Sequence, residues 1–250
     1  MRVFTIDVNN GRKKTTAVTV LIALTVIASL VVKGIVGIAR EHLYAGVSAT
    51  PKNTVIIVDA GHGGEDSGAI GINGVYEKDL NLIFSFLIGE ELEKNEVTVV
   101  YTRSEDKLLY TPQQDIKGLR KISDLKNRQE IAEKYEDPIF ISIHMNSYGA
   151  EKYSGLQVYY SPNSVGSYQL AQKIQTRVKN ELQPQNNRKI KNGDNIYLMK
   201  NIQTDAVLIE CGFLTNREEC KKLSEKEYQK QLSFSIVCGI IEYINETRLN

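Results

Sequence analysis

Three short, almost uninterrupted aliphatic runs constrain the fold of this chain more than any other feature: TVIIVD (54–59), IFISI (139–143) and AVLIE (206–210). Runs of this length, rich in β-branched residues and lacking polar alternation, are strands buried on both faces, as in a parallel sheet. Segments with a helical period lie between and after them. In Glu77–Asn95, residues Leu80, Ile83, Phe84, Leu87 and Leu92 recur three or four apart. Asp124–Tyr135, with Asp124 placed as N-cap, Ser167–Leu182 and Glu225–Asn245 repeat that pattern. Val97–Tyr101 and Gly155–Tyr160 read as further strands, whereas the polar stretches Ser104–Ser123 and Gln183–Asn195 read as loops. The alternation predicts an α/β class with a single folded domain, a mostly parallel twisted sheet with helices on both faces.

The N-terminal part has a different character. Arg12, Lys13 and Lys14 precede eighteen uncharged residues, 15–32, of which thirteen are apolar. A basic flank and then an apolar run of this length make a membrane anchor or a signal segment, and they predict export of the remainder of the chain. Residues 1–46 are therefore assigned to targeting, 47–53 to a linker and 54–250 to the folded domain. Residues 1–49 hold six Lys/Arg against two acidic residues, so with a net charge of +1 the remainder is slightly acidic. Such a domain is a poor nucleic-acid binder. Cys211, Cys220 and Cys238 lack metal-site spacing and read as small buried hydrophobes, with a Cys211–Cys220 bridge left open.

Ligands of open α/β sheets bind beyond the carboxyl ends of the strands, and the chemically distinctive residues fall there. His62 comes after the first run within DAGHGG (59–64), His144 after the second within SIHMNS (142–147), and Glu210 ends the third. Two histidines on one rim, with carboxylates nearby, point to a metal, and imidazole with a carboxylate suits zinc. The third ligand could be Glu77, Asp59, Asp66 or Glu210; Asp59 could instead orient His62. A carboxylate at the end of so apolar a strand would have a raised pKa, as a general base needs. The phosphate-loop, dinucleotide-loop, nucleophile-elbow and H-E-x-x-H patterns are all absent.

The segments VIIVDAGHGG (55–64), GVYEKDLNL (74–82), YTR (101–103), ISIHMNS (141–147) and AVLIECGFLTN (206–216) together resemble the type-3, zinc-dependent N-acetylmuramoyl-L-alanine amidases. The resemblance implies one zinc ion held by His62, Glu77 and His144, with Glu210 as the catalytic carboxylate. It implies peptidoglycan as substrate, cut between the lactyl group of N-acetylmuramic acid and L-alanine. Substrate contacts are assigned to Arg103, Arg128 and Asn146, although for the two arginines tying the structure together is an equal alternative. The stretches 186–201 and 108–128, with the N-terminal anchor, are similar to the germination-specific subgroup that acts on spore cortex. An accessory protein is left unspecified. A zinc peptidase acting on the stem peptide and a silent wall-binding module are the competing readings.

Overall fold

The computed structural model describes residues 54–248, together with Leu24, Thr25 and Ile27. The rest of the targeting segment, including most of the apolar span 15–32, and the linker 47–53 lie outside the described residues. Among the described residues no helix is long and apolar enough to cross a membrane.

The folded domain runs β1 (Val55–Ala60), α1 (Glu77–Glu93), β2 (Thr98–Tyr101), a single 3-10 turn (Pro112–Gln114), α2 (Arg120–Glu133), β3 (Ile139–Asn146) and β4 (Gln157–Tyr160). It continues with α3 (Val165–Glu181), β5 (Lys191–Asn192), α4 (Tyr197–Asn201), β6 (Ala206–Phe213), α5 (Arg217–Leu223) and α6 (Lys226–Thr247). The six strands form one sheet in the order β2-β1-β3-β6-β4-β5. β2, β1, β3 and β6 are parallel neighbours, β4 runs antiparallel to β6, and β5 runs parallel to β4. The expected mostly parallel α/β sheet is thus present.

Because side chains alternate along a strand, each sheet face can be traced from register. Ile57, Phe140, Ala206 and Leu208 share one face and pack with Ala132 of α2 and Leu198 and Met199 of α4. Ile56, Val58, Ile141, Ile143, Val207 and Ile209 line the other, all fully buried, where α1, α3 and α6 pack. Towards the carboxyl ends the first face changes composition. The same rows that begin with Ile57, Phe140 and Ala206 end in Asp59, in Ser142 and His144, and in Glu210. Strand order reverses between β1 and β3, which makes the crevice above them the expected ligand position.

Several local expectations are corrected. β3 continues to Asn146 and β6 to Phe213, so His144 and Glu210 lie within strands and pair with each other. The ladder outlasts the apolar run because backbone pairing does not depend on side-chain polarity. One extra residue enters β6 between Glu210 and Phe213, a bulge opposite His144–Asn146. Helix α2 begins at Arg120, so Asp124 lies in the helix and is not its N-cap. Its carboxylate instead accepts the N–H of Leu109 at 2.7 Å and pairs with Arg128 four residues on. The helices α4 and α5 and the two-residue strand β5 fall in stretches too short to show a period. All three cysteines are free, so Cys211 and Cys220 do not pair.

Candidate metal centre and active site

The loop after β1 carries the first ligand candidate in an unusual conformation. His62 has φ 61°, in the left-handed region that non-glycine residues seldom occupy. Two buried arginines hold it there. Arg103 donates to the carbonyls of Ala60 at 2.9 Å and Gly61 at 3.0 Å, and also to Lys78 and Glu105. Arg128 donates to the carbonyls of Ala60 at 2.7 Å and His62 at 2.8 Å. Three successive carbonyls of the loop are thus bonded to fixed positive charges. The two side chains are only 2% and 1% exposed, so they stand beneath the loop. Of the two roles open to Arg103 and Arg128, these bonds serve the tying one: their donors face loop carbonyls and build the loop that presents His62.

Arg128 also pairs with Asp59 at 2.6 Å, and Asp59 accepts hydroxyl donors from Thr102 at 2.7 Å and Ser142 at 2.6 Å. Burial alone would raise the Asp59 pKa, but Arg128 and the hydroxyls outweigh it and hold the carboxyl below its ordinary value. With these bonds Asp59 is neither a metal ligand nor the orienter of His62. Asp66 is placed nearer that role, with Oδ2 lying 2.9 Å from Nδ1 of His62.

Helix α1 supplies Glu77 as its first residue, reaching across the ends of β1 and β3. Its Oε1 lies 3.0 Å from Nδ1 of His144 and 3.2 Å from Nε2 of His62. The N–H groups of Met145 and Ala69 donate to its two oxygens at 3.1 and 2.8 Å. One donor atom from each of His62, Glu77 and His144 falls within a 4.8 Å group. A tetrahedral zinc with bonds of 2.0–2.1 Å sets its ligand atoms about 3.3 Å apart, so this donor set fits that ion. Electrostatics agree. Burial opposes the charged form of both groups, yet Glu77 is held well below the carboxylate range by the two imidazoles. His62 is raised to about 9, its burial outweighed by Asp66 and Glu77. The pocket is built for positive charge. It also admits no extra bulk: a Cβ at Gly61 would lie 2.2 Å from Nε2 of His144. One at Gly68, with φ +63°, would lie 2.5 Å from Oε2 of Glu77.

Glu210 stands beside this group on β6, as the register partner of His144, and paired residues share a face. Its Oε2 is buried and has no hydrogen-bond partner among the described residues. Burial first, with Glu77 adding to it and the histidines opposing, pushes its pKa up to about 7. It is a buried carboxylate with one oxygen left unpartnered beside the three candidate ligands. Asn146, two residues beyond His144, is half-buried at the rim. The sequence motifs do not single out Glu219, whose buried carboxylate accepts the N–H groups of Gly155 and Phe213 and so fastens the bulge beyond Glu210. A signal is nevertheless present, since Asn216 caps α5 through the N–H of Glu219 in an N-cap spacing.

Residues 56–242 match the N-acetylmuramoyl-L-alanine amidase family Amidase_3, three quarters of the chain. The chain belongs to this family. The amidase is 34% identical over 192 residues to the germination-specific N-acetylmuramoyl-L-alanine amidase of Bacillus subtilis, covering 77% of this chain and 80% of that protein. Among solved structures it is similar to the CwlD amidase of Clostridioides difficile, determined in complex with the GerS lipoprotein. There the TM-score is 0.74 at 38% identity, covering 78% of this chain and all of that one. The amidase AmiC2 of Nostoc punctiforme matches with a TM-score of 0.67 at 31% identity, over 78% of this chain and 99% of that one. The chain is thus an N-acetylmuramoyl-L-alanine amidase, an enzyme of peptidoglycan hydrolysis.

Proposed function

We propose that this amidase holds one zinc ion through His62, Glu77 and His144 and cleaves the amide between the lactyl group of N-acetylmuramic acid and L-alanine. The observation that carries this is the convergence of two imidazoles and one carboxylate beside the unpartnered Glu210. Zinc bound there supplies a water of lowered pKa and polarises the scissile carbonyl. Asp66 keeps His62 in one orientation from Nδ1, and the amides of Met145 and Ala69 keep Glu77 in another. Glu210, with an unpartnered oxygen beside the ligands, takes the proton of the attacking water and returns it to the leaving nitrogen.

Two measurements test the reading. Zinc content of His62→Ala and of His144→Ala is expected to fall to near zero, because two remaining ligands hold the ion poorly. Full occupancy in either variant contradicts the assignment. Digestion of purified peptidoglycan is expected to release intact stem peptides with new N-terminal alanine. Shortened stems would instead make the enzyme a peptidase.

The likeness to germination-specific amidases supports a place in spore cortex remodelling, and the solved CwlD–GerS complex supports a partner lipoprotein here as well. The basic-then-apolar N-terminal segment supports export, with the domain held at the outer face of the membrane or released to the wall. Full-length protein is expected with membranes, or shortened in the exported fraction; intact chain soluble in the cytoplasm would overturn this localisation.

A further inference from the structure

We propose that Arg188 binds a carboxylate of the stem peptide two or three residues beyond the scissile bond, an inference that rests on the amidase reading above. A single row of residues crosses the sheet at the level of the site. It runs from His144 on β3 to its partner Glu210 on β6, and from Glu210 to its partner Gln157 on β4. Arg188 continues the row. Its Nη1 donates to Oε1 of Gln157 at 3.1 Å and its Nε to the carbonyl of Ser154 at 2.7 Å. The guanidinium carbon lies 4.3 Å from the centre of the buried Phe213 ring, beyond Glu210 on β6. With the Tyr153 ring 5.9 Å away as well, the head group is thus held by two acceptors and two aromatic rings.

No carboxylate of the described residues makes a salt bridge with it, and the buried Glu219 feels its charge only at longer range. Among the described residues, Arg120, Arg128, Arg177, Arg217 and Arg248 each face a carboxylate at 2.6 to 3.6 Å. Arg103 is buried against backbone carbonyls. Arg188 is half-buried and touches neutral acceptors only, and its Nη2 has no acceptor among the described residues. A planar, preorganised fork with free donors is the group that best recognises a carboxylate.

Position selects the ligand. Neighbouring strands are about 4.8 Å apart, so the row places Gln157 roughly 10 Å from His144 and Arg188 a little further. An extended peptide spans that distance in about three residues. Once the lactyl group is amide-linked the muramic residue has no free acid, so the anionic groups of the substrate lie on its peptide. The peptide therefore runs over β4, and the glycan lies towards β1.

The test uses the zinc-loaded full chain and three substrates. One is a muramoyl tripeptide with free carboxylates; in the others the carboxylate on residue two, or on residue three, is a carboxamide. One amide is expected to lower kcat/KM roughly 10- to 100-fold, chiefly through KM, as loss of a charge-assisted hydrogen bond does. Arg188→Ala is expected to lose a similar factor on the free acid and nothing further on that amide, with Arg188→Lys recovering part of the loss. Equal cleavage of all three substrates by the unaltered enzyme overturns the proposal and leaves the amidase reading standing. Equal losses for Arg188→Ala on acid and amide also overturn it, reducing Arg188 to a packing group on Phe213. Cleavage of none of the three removes the amidase reading itself, and the proposal with it.

Discussion

The Glu210→Gln variant is expected to fold and to retain its zinc while losing amidase activity by roughly 10²–10⁴-fold. Glutamine keeps the shape of the side chain but cannot take a proton from water or return one to the leaving nitrogen. The proposed ligand group is separate from Glu210, because among the carboxylates of the described residues Glu77 is the one that lies between the two imidazoles. Turnover of a muropeptide, measured beside zinc content on the same preparation, separates chemistry from binding. If Glu210→Gln empties the site while Glu77→Ala keeps the metal, the two carboxylates have exchanged roles.

The Arg128→Ala variant is expected to lose about 3–5 kcal/mol of stability, because it leaves Asp59 as an uncompensated buried charge. Both groups are essentially inaccessible to water, and Arg128 also serves two loop carbonyls and Asp124. Denaturant unfolding with an unchanged slope would measure the loss; a change below about 1 kcal/mol would show that the network relaxes around the gap. Replacing Asp59 and Arg128 together by apolar residues should recover part of it. The pH dependence has a definite sign. In the native protein the Asp59 pKa lies below its unfolded value of about 3.9. The contribution is therefore complete above that value and is lost as pH falls through the folded pKa. Without Arg128 the buried carboxyl is driven upward instead, so acid should destabilise the variant less than the native protein.

Most of the sheet was legible because its strands are the apolar runs themselves, and the helices α1, α3 and α6 because their stripes persist for several turns. The features that were missed have a common cause. Strand ends, the bulge in β6 and the short helices α4 and α5 are decided by backbone pairing and by contacts distant in the chain, which leave no local period. At the site, residue types and their loop positions were enough to select His62, His144 and Glu210, and family resemblance singled out Glu77 among four carboxylates. The two roles of Arg103 and Arg128 stayed open because a buried guanidinium bonded to loop carbonyls and a surface one awaiting substrate look identical as letters. Arg188 illustrates the reverse case, since it stands in a polar stretch with no motif and is distinguished only by contacts made in space, two neutral acceptors and an aromatic face without a carboxylate in salt-bridge contact.

The position of β6 has a consequence for when the enzyme becomes dangerous. It is the last strand to be synthesised, yet it lies between β3 and β4 near the middle of the sheet. Glu210 therefore meets His144 only after 65 intervening residues have been placed, a non-local closure of the kind that slows folding. A chain caught in synthesis before β6 has its histidines but no Glu210 opposite them. On the role proposed for Glu210, wall-cutting power thus arrives together with the completed core.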